Sequence, residues 1–106
     1  MKKNVGSVLA LYPTPTVIAG AMNGDNPTWT LVGHVGIIGH DKILVSLASA
    51  HYINQFIKEN GRLSVNIVDE SMLPEADYVG SASGAKADKS QVFDYELGAA
   101  GTPIIR

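Results

Sequence analysis

A mainly β domain with two inserted helices is the fold class this sequence predicts, and three observations carry it. Short apolar runs, several rich in Val and Ile, recur between clusters of Gly, Pro and Asn. Asn23-Gly24-Asp25-Asn26 separates two of these runs, and Asn-Gly readily takes the positive φ angles of a tight hairpin. Only two segments, one after Ser49 and one after Asp69, read as helix.

The elements follow in order. Val8 to Leu11 and Val17 to Met22 read as strands joined by the stiff connection Tyr12-Pro-Thr-Pro-Thr16. The hairpin returns through Thr28 to Val32, and His34 to Ile38 continues apolar between Gly33 and Gly39, where the strand is expected to bend or bulge. Ile43 to Ala48 is the clearest strand and is expected at the centre of the sheet. Ser49 is positioned to cap a helix over Ala50 to Asn60, with Tyr52 or Ile53, Phe56 and Ile57 at helical spacing and Asn60-Gly61 as the stop. Arg62 to Val68 alternates Leu63, Val65 and Ile67 with Ser64 and Asn66, the period of a strand with one face buried. Asp69 or Ser71 caps a short helix to about Tyr78, with Pro74 in its first turn. Gly80 to Gly101 shows no sustained periodicity, and Thr102 to Ile105 begins a last strand.

Composition narrows the function classes. The 106 residues suffice for one domain with a real core, residues 1–106 being read as that domain. A net charge of −2 without any Lys/Arg cluster disfavours a nucleic-acid partner. Cysteine is absent, which removes disulfides, thiolate metal sites and thiol catalysis and makes a reducing cytoplasm the natural compartment. Lys2 and Lys3 ahead of Val8 to Leu11 imitate a signal peptide, but Pro13 and Pro15 interrupt the apolar stretch, and no apolar run is long enough to span a bilayer. A soluble protein without a membrane partner is expected.

Three segments carry chemistry. Gly80-Ser-Ala-Ser-Gly-Ala-Lys-Ala-Asp-Lys89 combines small residues, open backbone N–H groups and a terminal lysine, a composition suited to a phosphate. Pro27-Thr28-Trp29-Thr30 adds an aromatic ring, and Ser49-Ala50-His51-Tyr52 adds polar donors at a strand-to-helix junction. Together they suggest a nucleotide-like cofactor. Each has a plainer reading: Lys89 as a solvated surface lysine, Trp29 as core, and Ala48, Ser49 and Ala50 as tight packing with a helix cap. His34, His40 and His51 lack metal-site spacing, so no metal is assigned. Gly80-Ser-Ala-Ser-Gly84 echoes a nucleophile elbow but has the wrong register and does not run from a strand into a helix. Asp69, Glu70, Glu75 and Asp77 are explained by a solvated helix face at least as well as by acid–base chemistry.

The ordered series Pro15-Thr-Val-Ile18, Asn23-Gly24, Thr28-Trp-Thr30, Lys42-Ile-Leu-Val-Ser-Leu47, His51-Tyr52, Ile57-Lys-Glu-Asn-Gly61, Val65-Asn66, Gly80, Ser83-Gly84 and Asp88-Lys89 resembles the flavin reductase-like, FMN-binding split-barrel family, flavoredoxin and its relatives in particular. The resemblance implies a six-stranded antiparallel split barrel with inserted helices, a homodimer, and one FMN per subunit near the dimer interface. Such domains usually continue for several more strands, so this chain is expected to correspond to the N-terminal part, with the barrel incomplete in it.

For the FMN phosphate the resemblance favours Lys89, helped by Ser83 or the Gly84 backbone and by Ser49 with the helix N-terminus near Ala50. Trp29 and Thr30 would address the flavin ring by backbone N–H, hydroxyl or indole, while Ala48, Ser49 and Ala50 allow close approach to it. His51 and Tyr52 would lie beside the cofactor as binding groups; no catalytic side chain is assigned, because the flavin itself carries the chemistry. The activity implied is hydride transfer from NAD(P)H to FMN and onward to a free flavin, a partner protein or a small acceptor. NAD(P)H would be a transient substrate, since no Gly-x-Gly-x-x-Gly fingerprint is present. The alternatives are a flavin-binding or electron-carrier module, or a truncated dimeric fragment, without reductase activity; a small β-rich interaction domain ranks last.

Overall fold

The computed structural model describes residues 1–8 and 15–106. The expected first strand and its proline connection therefore fall largely outside the described residues. A three-stranded antiparallel sheet in the order β2-β1-β5 organises the rest, built from β1 (Val17–Asn23), β2 (Asn26–Val32) and β5 (Ser64–Ile67). Two short ribbons flank it, β3 (Val35–Ile37) with β4 (Ile43–Val45) and β6 (Tyr95–Leu97) with β7 (Pro103–Ile105). The three sheets do not close on one another into one continuous barrel.

The hairpin β1–β2 forms as its sequence dictates. Asn23 pairs with Asn26, and Gly24 takes φ +61° while Asp25 keeps a negative value. A glycine with positive φ at the first of two central positions has the sign pattern of a type II′ turn, which matches the twist of the flanking strands.

Strand alternation then divides the core in two. Val17, Ala19 and Ala21 face helix α1 (Asn54–Asn60) together with Val32, Ile53 and Phe56. Ile18 faces helix α2 (Leu73–Ser81), where it meets Trp29, Ala76, Val79 and Phe93. Paired with β2 on one edge and β5 on the other, β1 is the central strand, and both of its faces are covered. Gly61 closes α1 with φ +70°, its N–H donating to the Ile57 carbonyl at 2.7 Å, as the Asn-Gly stop predicts. Before α2, Asp69 accepts from the Ser71 N–H at 2.9 Å and caps a 3-10 turn over Glu70–Met72, with Pro74 in the first turn of the helix that follows.

Four expectations need correction. Ile43 to Ala48 is not the central strand: among the described residues β4 pairs only with β3, and Ile43 and Leu44 remain exposed. Helix α1 begins at Asn54, not Ala50, because residues 48–53 form consecutive turns through His51 N–H to Ala48 carbonyl and Asn54 N–H to His51 carbonyl. Ser49 caps no helix. On β5 the polar face is the more deeply buried one, Ser64 and Asn66 being inside while Ile67 is 77% exposed. Asn66 explains this, since its Nδ2 donates to the Ile18 carbonyl and its Oδ1 accepts from the Ile105 N–H, both at 3.0 Å. The Ser64 hydroxyl donates to the Pro103 carbonyl, so the two polar side chains fasten β7 to the sheet. Finally, the stretch without periodicity contains β6, whose hairpin to β7 turns through Gly98 and Gly101.

Candidate functional site

Among the described residues strand β2 pairs on one side only, with β1. Along its free edge runs a cleft of about 240 Å³, walled by Val79 to Gly84 on one side and by Ala48 and Ala50 to Ile53 on the other. Thr28, Trp29 and Thr30 form its floor, and Lys89 closes one side. Nine of the ten residues singled out from sequence meet here: Trp29, Thr30, Ala48, Ala50 and His51 with Tyr52, Ser83, Gly84 and Lys89. Ser49 does not border the cleft; it lies exposed in the turn over 48–51. With α1 starting at Asn54, the helix N-terminus near Ala50 that was expected to assist a phosphate is absent.

Trp29 enters by its backbone, not its ring. Its peptide carbonyl accepts from Lys89 Nζ at 3.2 Å. In an antiparallel strand a residue's N–H and C=O point to the same side, so the Trp29 N–H also faces the open edge. The indole is 1% exposed and lies across Gly20, where a Cβ would meet its Cζ3 at 2.5 Å. Phe93 and Tyr95 pack edge-on against it at 5.5 and 6.2 Å. The expectation that the indole covers a cofactor is corrected: alternation sends it to the α2 face as core. Thr28 and Thr30 project to the opposite face of β2 and are buried.

Lys89 is the unusual residue. It is 6% exposed, and its ammonium donates to the Val79 carbonyl at 2.9 Å and the Trp29 carbonyl at 3.2 Å. An ammonium has three donors, so one is left over. Among the described residues no carboxylate pairs with it, and burial pulls its pKa below the ordinary lysine value. A buried cation is normally paired, and this one borders an open cleft. The reading of Lys89 as a solvated surface lysine is therefore excluded. Its neighbour Asp88 is exposed and held below the usual carboxylate range by hydrogen bonds from the Ser90 side chain and the Ser90 N–H, the latter at 2.8 Å.

The loop over 82–89 is shaped for this position. Ser83 Oγ accepts from the Ala85 N–H at 3.3 Å, and its carbonyl accepts from the N–H groups of Lys86 and Ala87. The hydroxyl proton remains available as a donor. Gly84 lies flat against the Tyr52 ring: a Cβ there would overlap Cδ2 and stand 3.1 Å from Cγ. Tyr52 in turn packs edge-on against Phe56 at 5.0 Å, linking the loop to α1. On the far side, Asn54 Nδ2 donates to the Ala48 carbonyl at 2.7 Å and fixes the small-residue turn.

Gly80 allows α2 to close on β2, since a Cβ would come within 2.9 Å of Leu31 Cβ. Sequence reasoning placed Thr28 and Gly80 in the cofactor-binding segments without giving them a role, and it did not assign Ile53 or Val79 to the cleft wall. Thr28 was legible as the residue beside Trp29, whereas Ile53 and Val79 carry no signal beyond core apolarity.

The mainly β frame of separate small sheets with two helices is that of a flavin reductase-like split barrel, incomplete in these residues. The chain belongs to the flavin reductase like domain family, which it matches over residues 9–106.

In three dimensions it is similar to flavoredoxin from Methanosarcina acetivorans, with a TM-score of 0.91 and 30% identity over 100% of this chain and 59% of that one. Flavoredoxin of Desulfovibrio vulgaris (Miyazaki F) gives 0.87 and 31% over 99% and 61%. The FMN-binding protein from Thermus thermophilus, with p-hydroxybenzaldehyde bound, shares the fold at 0.85 with 19% identity over 100% and 61%. The chain thus spans about 60% of the length of these relatives. No curated protein sequence shows significant similarity to it. Among the described residues no helix is long and apolar enough to cross a membrane.

Proposed function

We propose that this chain is the flavin-holding part of an FMN-dependent oxidoreductase of the flavin reductase type. The observation that carries the reading is Lys89, a buried ammonium at the mouth of the cleft with a donor left over and no carboxylate partner among the described residues. A phosphate monoester supplies the missing negative charge, and the Ser83 hydroxyl and the backbone beside Gly84 add neutral donors on the same loop.

The remaining wall suits a flat polar ring. The outward Trp29 N–H and the Thr30 hydroxyl offer hydrogen bonds to its edge, Ala48 and Ala50 permit close approach, and His51 and Tyr52 confine it. Bound FMN supplies the redox chemistry, accepting hydride from NAD(P)H and delivering electrons to a free flavin, a partner protein or a small acceptor. The residues of this chain bind, orient and keep water from one side.

Two features favour a homodimer. The cleft, at about 240 Å³, is smaller than the roughly 300–1,000 Å³ of complete ligand sites, so a second surface is needed to cover the ring. The β3–β4 ribbon also presents apolar side chains to solvent. Ile37, 83% exposed, pairs with Ile43, and Ile38 and Leu44 are exposed beside them. A second copy of the chain is the occupant we assign to that ribbon. A cytoplasmic setting accords with the cysteine-free sequence.

Titration of the purified chain with FMN by visible absorbance, beside size-exclusion chromatography and an NAD(P)H oxidation assay, tests the reading. A saturable spectral shift on a dimer, with FMN-dependent NAD(P)H consumption, is expected. Absence of any shift overturns the cofactor assignment, and a shift without consumption reduces the function to a flavin carrier.

A further inference from the structure

Beside β5 and β7 lies a groove of about 380 Å³ that shares no residue with the cleft. Val65, Ile67, Met72 and Ile104 give it an apolar lining, and Asp69 and Arg106 are its charged residues. No described residue covers Ile67, which is 77% exposed. Asp69 caps the 3-10 turn through Oδ1 alone, which accepts from the Ser71 N–H and hydroxyl, so Oδ2 is left over on the groove side of the turn. Glu70, exposed, follows it.

Residues 1–8 have the complementary character. All are exposed, none lines the groove of its own chain, and no described carboxylate pairs with Lys2 or Lys3. The radius of gyration of 15.1 Å exceeds the roughly 13 Å of a compact chain of this length, in keeping with an arm held off its own body. The Asn4 carboxamide oxygen accepts from the Gly6 N–H at 2.8 Å and Gly6 takes φ +81°, so Val5 stands at the apex of a preformed bend, 64% exposed.

We propose that the arm of one copy docks in the β5–β7 groove of a second copy, Val5 entering among Ile67, Met72 and Ile104 while Lys2 and Lys3 face Asp69 and Glu70. Charge complementarity selects the occupant: two lysines precede the apolar knob, and two carboxylates follow the apolar pit. The bend lowers the cost of ordering the arm. Exposed ion pairs are weak and screened by salt, so the lysines orient the arm and Val5 anchors it. Under two-fold symmetry the exchange is reciprocal, each copy giving an arm and receiving one. It involves neither the cleft nor the β3–β4 ribbon and does not depend on the flavin reading.

The cysteine-free chain allows a test by disulfide trapping. Val5→Cys and Ile67→Cys chains are mixed and oxidised, and peptide mass spectrometry measures the disulfide that joins the two positions. Val5→Cys mixed with Lys58→Cys, at the exposed last turn of α1, supplies the collision background. Docking is expected to raise the trapped yield about tenfold above that background, the effect of a higher local concentration. Changing both Lys2 and Lys3 to Glu is expected to lower it about fivefold, because like charges then meet. A yield at background, or one that charge reversal leaves unchanged, would overturn the proposal. The chain carrying both Val5→Cys and Ile67→Cys is expected to run as a covalent dimer on a non-reducing gel. A closed monomer would show the arm folding onto its own groove and would equally overturn it.

Discussion

Lys89 donates to the carbonyl of Val79 at 2.9 Å, so the loop that leaves α2 is returned to the helix by its own lysine ten residues on. The same ammonium reaches the Trp29 carbonyl and ties the loop to the free edge of β2. It thus closes the loop with two of its three donors, and the proposed phosphate site uses the third. Lys89→Met keeps the apolar stem and removes the charge. We expect FMN affinity to fall about 10- to 100-fold, the worth of a charge-assisted hydrogen bond, and riboflavin affinity to change little. Equal losses for the two ligands, read by fluorescence titration, would take Lys89 out of the phosphate site.

The depressed pKa of Lys89 makes stability depend on alkaline pH in a definite direction. Between its folded pKa and the ordinary lysine value of about 10.4, the unfolded chain binds more protons than the folded one. Stability of the ligand-free chain therefore rises with pH across that window, and the full burden of the buried charge is carried below it. A bound phosphate group stabilises the ammonium and should flatten the rise. Thermal melts over that alkaline range, with and without FMN, check this. The Lys89→Met chain should show no Lys89-linked rise, and a wild-type chain whose stability falls steadily through the window contradicts the assignment.

Gly84 matters for the space it leaves, not for its backbone angle. Tyr52 lies where a Cβ would sit, so Gly84→Ala must push the ring aside or shift the loop that carries Lys89. Overpacking of this kind costs about 1–3 kcal/mol. Tyr52→Ala in the same chain should recover part of the loss, giving a coupling free energy beyond simple additivity. Denaturant unfolding of the four chains of the cycle measures it, and strictly additive effects would mean that the ring and the loop move independently.

Local signals were legible in this sequence and long-range ones were not. The Gly24 turn, the Gly61 stop and the Asp69 cap depend on a few neighbouring residues, and each lies where its residue type requires. The residues of the cleft were also legible, because small residues, hydroxyls and a lysine gather in three short segments. What escaped was set by partners distant in sequence. Ile43 and Leu44 read as a buried strand, yet nothing described in the chain covers them. Asn66 and Ser64 read as the solvent face of β5, but carbonyls of β1 and the backbone of β7 claim them. Trp29 could be placed on its strand but not on its face. The burial of Lys89 without a counter-charge among the described residues, on which its proposed role rests, is a feature that sequence could not supply.

Trp29 is a structural residue, and its removal should show first in stability. Its ring fills the space above Gly20 between Phe93 and Tyr95. Trp29→Ala leaves a large cavity at a cost of about 3–5 kcal/mol, a large part of the 5–15 kcal/mol typical of a domain. Trp29→Phe should lose less, because it retains much of the ring volume and removes an indole N–H that has no hydrogen-bond partner. Equilibrium unfolding orders the two variants. A Trp29→Ala chain as stable as wild type, altered only in flavin fluorescence, would return the indole to the cofactor site.

The β3–β4 ribbon offers the last prediction. Val35 and Val45 anchor its base against the first core cluster, and the same face continues outward through Ile37 and Ile43, which no described residue covers. A two-stranded ribbon is marginal in water alone, and large exposed apolar patches mark contact surfaces. If a second copy buries this face, Ile37→Asp should place a charge in the interface and shift the chain from dimer to monomer. At 83% exposure in the single chain the substitution touches no core, so circular dichroism should be unchanged. Size-exclusion chromatography with light scattering distinguishes the outcomes. A variant that stays dimeric at every concentration shows that the copies meet elsewhere, whereas a monomer with weakened FMN binding indicates that the partner helps to cover the flavin.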